Sequence, residues 1–529
     1  MNFRSTLAPP ESTRKLLGGF VFVLIFAAAA YEFSELVLAG DWMGFAYIGL
    51  LVVGGIFIIA ILNNWRNGVY FFFSWLLFED LARKYLGNNM AVYFAKDLLV
   101  AFVYISFIIA VRRKKTVRIV RPPFFVAVML LVWFGIMQVF NPASTTIVYG
   151  LLGVKLFFWY IPLYFVGYAL FNSEADLRRF FRLNAWLALV ITSLGVAQSI
   201  IGPSFLNPAR PAEEIRGLST LYRVSPITGL ISYRAPSVFV SAGRYTNYLL
   251  IAWLLMLAFT GYLLLRHRRG RNIAFISLAV VYAAILLSGS RGVFLWTAGA
   301  ALIIAVAFVW GAPWRQREVL RVFRTVQRAA LAIGLAVVAL FLVFPDALFA
   351  RLAIYSETLT PGSANSELQS RTWDYPLRNF LGAFNYDRWP YGYGIGTSSL
   401  GVQYVARIFH GAPMGVGVES GFGALVVEMG IGGLILWFIM SIAIIASAWK
   451  VVKKLKGSAW FPIGFSIFLY AFVLLIPTTF ASMQAYEDFV INAYFWTLLG
   501  ILFRLPTLTL SSQFANPSAP AGNPRLRPR

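Results

Sequence analysis

The sequence has no cysteine, only two histidines and few charges: of 529 residues, 12% are Asp, Glu, Lys or Arg. Without thiols there are neither disulfides nor thiolate metal ligands, and His267 and His410 alone cannot build a zinc site. Acidic residues are scarcer than basic ones, 21 against 45, which leaves a formal charge of +24. In a soluble protein that excess would suggest a nucleic-acid partner, but its distribution excludes one. The basic runs Arg112–Lys115, Arg266–Arg271, Trp314–Arg324 and Lys450–Lys456 each flank apolar stretches, as the positive-inside rule expects of cytoplasmic loops.

What is abundant is apolar surface. Hydrophobic residues make up 59% of the chain and the mean hydropathy is +0.73, whereas soluble domains are roughly 45–50% apolar. Runs long enough to cross a hydrocarbon core recur from end to end, at roughly 20 residues per span. The expected spans are 16–38, 44–62, 67–82, 91–111, 123–140, 147–171, 185–202, 245–265, 272–288, 293–311, 329–345, 420–449, 459–476 and 487–503. The chain therefore reads as an all-α polytopic membrane protein of about 12–14 helices. The basic start (Arg4, Arg14, Lys15) has no clear cleavage site after it, so the first span is expected to be retained. Both termini then lie in the cytoplasm. The weakest span is 67–82, whose Glu79 and Asp80 suggest a tilted or re-entrant segment. Lys96 and Lys155 are the chief ionisable residues expected within spans, and neither internal repeats nor broken helices are visible, which argues against a transporter.

Two connections break the pattern of short loops, and parity places both outside. The organisation is a transmembrane bundle over 1–202, a first long extracytoplasmic loop over 203–244, helices over 245–345, a large extracytoplasmic loop over 346–419, C-terminal helices over 420–510, and a disordered cytoplasmic tail over 511–529. The first long loop holds Arg210, Arg216, Arg223, Arg234 and Arg244 and no lysine; the second holds Arg351, Arg371, Arg378, Arg388 and Arg407 and again no lysine. Singly, each arginine would serve as a headgroup anchor. As a set on the side where cations are disfavoured, they point to an anionic ligand, because guanidinium forks grip phosphate oxygens in pairs. Trp373, Tyr391 and Tyr393 in the second loop suit sugar rings and interfacial belts alike. The turn Ser288–Gly292 (SGSRG) sets Arg291 at the membrane face, a costly position unless the charge is paired or solvated.

Three segments, in this order, resemble the O-antigen ligase and Wzy-type polymerase superfamily of bacterial envelope glycan enzymes. They are SGSRG, the stretch Ser370–Phe380 (SRTWDYPLRNF) followed by YGYGIG, and Val418–Phe438, with Glu428, Gly430 and Gly433 in its Glu-x-Gly-x-x-Gly core. Arg234, ahead of Gly243 and Asn247, is similar to the family's arginine in the preceding outer loop. The likeness covers roughly residues 230 to 450. In ligases a His-Asn pair opens the last motif; here Glu419 and Ser420 stand there, which resembles the polymerase branch.

The resemblance implies a GT-C-like bundle in the bacterial inner membrane that polymerises undecaprenyl-diphosphate-linked repeat units without a metal or other cofactor. It implies Arg234, Arg291 and Arg371 as diphosphate ligands and Glu419 as the base, with a carboxyl pKa raised by apolar surroundings; His410 is the alternative base. Trp373, Tyr391 and Tyr393 would contact glycan, and Glu428 would pack or support the site. Partners would be the lipid-linked glycan, membrane lipids and a chain-length regulator. The alternatives are a ligase that transfers polymer to lipid A-core or protein, and a lipid-linked oligosaccharide flippase. Because the chain is free of cysteine, thiols introduced singly into 203–244 and 346–419 should react with a membrane-impermeant reagent in intact cells; labelling only after the inner face is opened would refute the topology.

Overall fold

Backbone polar groups cannot face lipid unpaired, so an apolar chain of this composition is confined to helices. The computed structural model describes residues 54–56, 58–86, 90–113, 119–208, 221–224, 229, 231–266, 270–313, 341–359, 373–399, 418–481 and 485–508, with isolated positions at 49, 327, 331, 334, 338 and 402. Among them, 8 helices are long and apolar enough to cross a membrane, and the protein is an all-α, multi-pass membrane protein. The expected span 16–38 and the tail 511–529 lie outside the described residues, and of 44–62 and 329–345 only parts are described.

The chain divides into a small unit, Met1–Gly68, and a large one, Val69–Arg529. The small unit's described part includes the short apolar helix Gly54–Asn63. Helix α1 (Trp65–Tyr85) leads into the large unit, which continues through α2 (Met90–Arg113), α3 (Phe125–Gln138), α4 (Ile147–Phe158), α5 (Leu163–Leu170) and α6 (Glu174–Ile201). Strands β1 (Tyr222–Val224) and β2 (Ile231–Tyr233) pair antiparallel with Tyr222 opposite Tyr233. Then come α7 (Ala242–Arg266), α8 (Arg271–Leu287), α9 (Arg291–Gly311), α10 (Pro345–Leu359), α11 (Tyr375–Gly382), α12 (Gly421–Leu455), α13 (Phe461–Val473) and α14 (Phe489–Arg504).

Local chemistry sets several of these bounds. Helix α6 starts at Glu174 rather than near 185, because the Ser173 hydroxyl and the Asp176 carboxylate form a reciprocal cap. The polar first turns of that helix are paired, since Glu174 takes the Tyr262 hydroxyl at 2.5 Å and Arg266 at 3.3 Å. Asp488 caps α14 through the amides of Val490 and Ile491. The expected span 147–171 is present as one apolar span, Ile147–Leu170, with its helix interrupted over Trp159–Pro162, where Pro162 cannot supply the amide a continuous helix needs.

Helix α7 is the central element; it packs against α6, α8, α9 and α13, and 78% of its apolar window is buried. Helices α5 and α14 meet through glycine: a Cβ on Gly167 would lie 2.4 Å from the Thr497 carbonyl oxygen, and one on Gly500 would lie 2.2 Å from that of Tyr164. Bare backbone at both positions lets the helices approach closely, which is how association is driven where lipid tails offer no hydrophobic advantage.

Contrary to the sequence reading, helices are broken within the bundle. Helix α12 changes direction at Gly430, whose φ of 68° and ψ of −172° are not helical. A π turn over Leu474–Thr478 accommodates Pro477 after α13.

Candidate functional site

The SGSRG turn is the meeting point of three chain segments. Gly289, at φ 63°, has no side chain to fill the space beside it; a Cβ there would lie 3.3 Å from Ser232 Oγ and 3.4 Å from Arg234 Cγ. Arg234 thus stands against the turn whose last helical cap begins α9 with Arg291. A third arginine enters from α10. Arg351 donates from Nη2 to the Tyr233 carbonyl oxygen at 2.9 Å, and one turn later the Tyr355 hydroxyl donates to the Leu286 carbonyl oxygen at 3.1 Å, while its ring stacks on Phe294 at 4.8 Å. Arg291 and Arg351 are buried and Arg234 is half-buried.

Burial presses the pKa values of Arg234 and Arg351 down, and among the described residues it is the Tyr355 phenol, not a carboxylate, that opposes this at Arg234. The Nε of Arg234 is buried without a hydrogen-bond partner. Burial likewise pushes the phenols of Tyr355 and Tyr233 up to about 12, so both remain neutral. Arg234 and Arg351 thus approach the turn that carries Arg291, and guanidinium is the side-chain group that grips oxyanions in pairs of hydrogen bonds.

A second cluster lies where α1, α2 and α4 meet the start of α7. Lys96 and Glu79, both fully buried, pair at 3.0 Å, and Lys155 pairs with Asp97 at 2.7 Å, while the Tyr160 hydroxyl donates to the same carboxylate at 3.1 Å. Asp80 accepts from Arg83 and Arg244, each at 3.0 Å, and from the Val240 amide at 3.3 Å. The Tyr93 ring faces Lys96, Lys155 and Arg83 at 3.6, 4.4 and 4.9 Å. Lys96 and Lys155 are therefore not isolated charges, and Glu79 and Asp80 of α1 are buried counter-ions to Lys96, Arg83 and Arg244. Arg244, one of the loop arginines, is consumed by Asp80 and does not stand ready for a ligand.

No family model matches the chain, and no curated protein matches it.

Glu419 belongs to a third group. It is exposed rather than enclosed by apolar groups, its carboxylate accepts the Tyr375 hydroxyl, and its amide donates to Asn379 Oδ1 at 3.4 Å. Tyr375 and Asn379 sit one turn apart on α11, so a single helix face holds both ends of Glu419. Trp373 is 60% exposed, with its ring packed 5.9 Å from Phe480; the Phe480 carbonyl oxygen in turn accepts from Ser420 Oγ at 3.0 Å. Arg371 and His410 lie outside the described residues.

The glycine loop and the break in α12 form one device that the sequence did not reveal. The amides of Tyr393 and Gly394 donate to the carbonyl oxygens of Val427 and Glu428 at 2.8 and 2.9 Å, and the Ile431 amide donates to the Pro390 carbonyl oxygen at 3.3 Å. The buried Glu428 carboxylate accepts the Ser398 amide at 3.0 Å and its hydroxyl at 2.6 Å. Glu428 thus supports the loop. Tyr391 is 77% exposed and Tyr393 half-buried, so the loop turns one ring outward.

The ion-pair network carries a direct consequence for stability. Lys96→Met should leave Glu79 buried and uncompensated, costing about 3–5 kcal/mol, whereas the double change with Glu79→Leu should recover most of that loss. Unfolding of the purified protein in detergent measures both; equal loss in the single and double variants would show that the pair is not coupled.

Proposed function

We propose that this protein is a membrane glycosyltransferase that polymerises undecaprenyl-diphosphate-linked oligosaccharide repeat units on the outer face of the inner membrane. The observation that carries this reading is the gathering of Arg234, Arg291 and Arg351 at the SGSRG turn. The positive-inside pattern of the loops supports an outward orientation for that turn. As the glycosidic bond to the lipid carrier breaks, negative charge grows on the diphosphate, and guanidiniums fixed in advance stabilise it with little reorganisation. The acceptor hydroxyl loses its proton to Glu419, whose carboxylate is held by the Tyr375 hydroxyl and whose backbone amide is held by Asn379. Trp373 and Tyr391, both open to solvent, offer flat faces to sugar rings.

A lipid-linked oligosaccharide transporter is the competing reading, and the break in α12 at Gly430 favours it, since transporters use discontinuous helices around their cargo. Transfer by purified protein from a lipid-diphosphate glycan separates the two, because a transporter forms no new glycosidic bond. Arg234→Lys and Arg291→Lys keep the charge but lose the planar fork, and each should cut the single-turnover rate by about 10²–10³-fold. Glu419→Gln should cut it by about 10²–10⁴-fold while glycan binding survives. Wild-type rates in both lysine variants would remove the diphosphate role from these arginines.

A further inference from the structure

We infer that Lys84, acting through Ser237, is a positioning residue for Arg234. The inference rests on the reading of Arg234 as a ligand of the lipid diphosphate. Among the described residues the non-glycine positions with positive φ are Leu206, at 61°, and Ser237, at 51°. Both carry a Cβ that disfavours this conformation, and such strain persists only where the surroundings over-determine the backbone.

The same two side chains hold both positions. Lys84, at the end of α1 and 2% exposed, donates from Nζ to Asn207 Oδ1 at 3.0 Å and to the Ser237 carbonyl oxygen at 2.6 Å. Gln198 of α6 accepts the Ser237 amide at 2.6 Å and donates to the Phe205 carbonyl oxygen at 2.6 Å. The Ser237 hydroxyl completes the set by donating to the Ile191 carbonyl oxygen at 2.7 Å.

Ser237 follows Arg234 across Ala235 and Pro236, a stretch that proline stiffens by fixing its own φ and restricting its predecessor. A shift at Ser237 therefore passes to Arg234 instead of being absorbed between them. Upstream, Arg234 is tied by its amide to the Leu221 carbonyl oxygen at 2.7 Å, so β1 and β2 move with it. The strained serine is the far anchor of the segment that presents the guanidinium to the SGSRG turn, and Lys84 and Gln198 are its buried ties.

The full-length chain purified in detergent tests this with geranylgeranyl diphosphate as probe and a spin label on a cysteine placed at Ile231, which is 64% exposed. Lys84→Met should weaken probe binding about tenfold and raise the label's mobility, and the double variant with Arg234→Lys should bind no more weakly than Arg234→Lys alone. Effects that multiply in the double variant, or an unchanged label in Lys84→Met, would overturn the inference. Gln198→Met cuts the tie from the other side and should behave alike, which keeps the test decisive if Lys84→Met does not fold. Should the wild-type protein fail to bind the probe while the label still loosens in Lys84→Met, the diphosphate reading falls and the positioning of the segment stands.

Discussion

Charge buried in an apolar bundle must be paired, and that requirement organises this protein. The cost of taking ions out of water is recovered only with good geometry and further hydrogen bonds. Glu79, Asp80 and Asp97 meet it with Lys96, Arg83, Arg244 and Lys155, and Tyr93 lends its ring to three of the cations. Because these partners come from α1, α2, α4 and the start of α7, satisfying them fixes how those helices meet. The same network reaches the loop ahead of α7: Asp80 takes the Val240 amide and Lys84 the Ser237 carbonyl oxygen. The segment bearing Arg234 is thereby built onto the rigid part of the molecule rather than left as a free loop.

A second constraint is the absence of side chain at close approaches. Gly167 and Gly500 bring α5 and α14 together, and Gly392 and Gly430 let the glycine loop lie against the interrupted helix α12. At Gly430 a Cβ would stand 2.4 Å from the Pro390 carbonyl oxygen, so the turn and the loop can occupy this arrangement only with glycine present. The amides and carbonyls that a broken helix would leave unpaired are taken up by that loop.

The helical, membrane-spanning character of the chain was legible because hydropathy acts over whole spans and tolerates local error. Helix ends were less legible: the paired charges of the first turns of α6 hid its start at Glu174, since ionisable residues read as loop until their partners are known. Arg234 and the SGSRG turn were each singled out in the sequence, but neither their meeting nor the approach of Arg351 was legible, because the partners are remote in sequence. The same distance concealed the bond between Ser398 and Glu428. Glu79 and Asp80 marked 67–82 as the weakest span, and Trp65–Tyr85 is not among the helices apolar enough to cross; what the sequence did not show is that Lys96 and Arg244, on other helices, pair with them.

The arginine turn, the exposed carboxylate on α11 and the aromatic faces together support chain extension on a lipid diphosphate. The most direct measurement is the state of the lipid-linked glycan in cells lacking this protein. The account expects single repeat units left on the carrier or on the core; long polymer retained on the lipid carrier, or repeat units trapped on the inner leaflet, would contradict it.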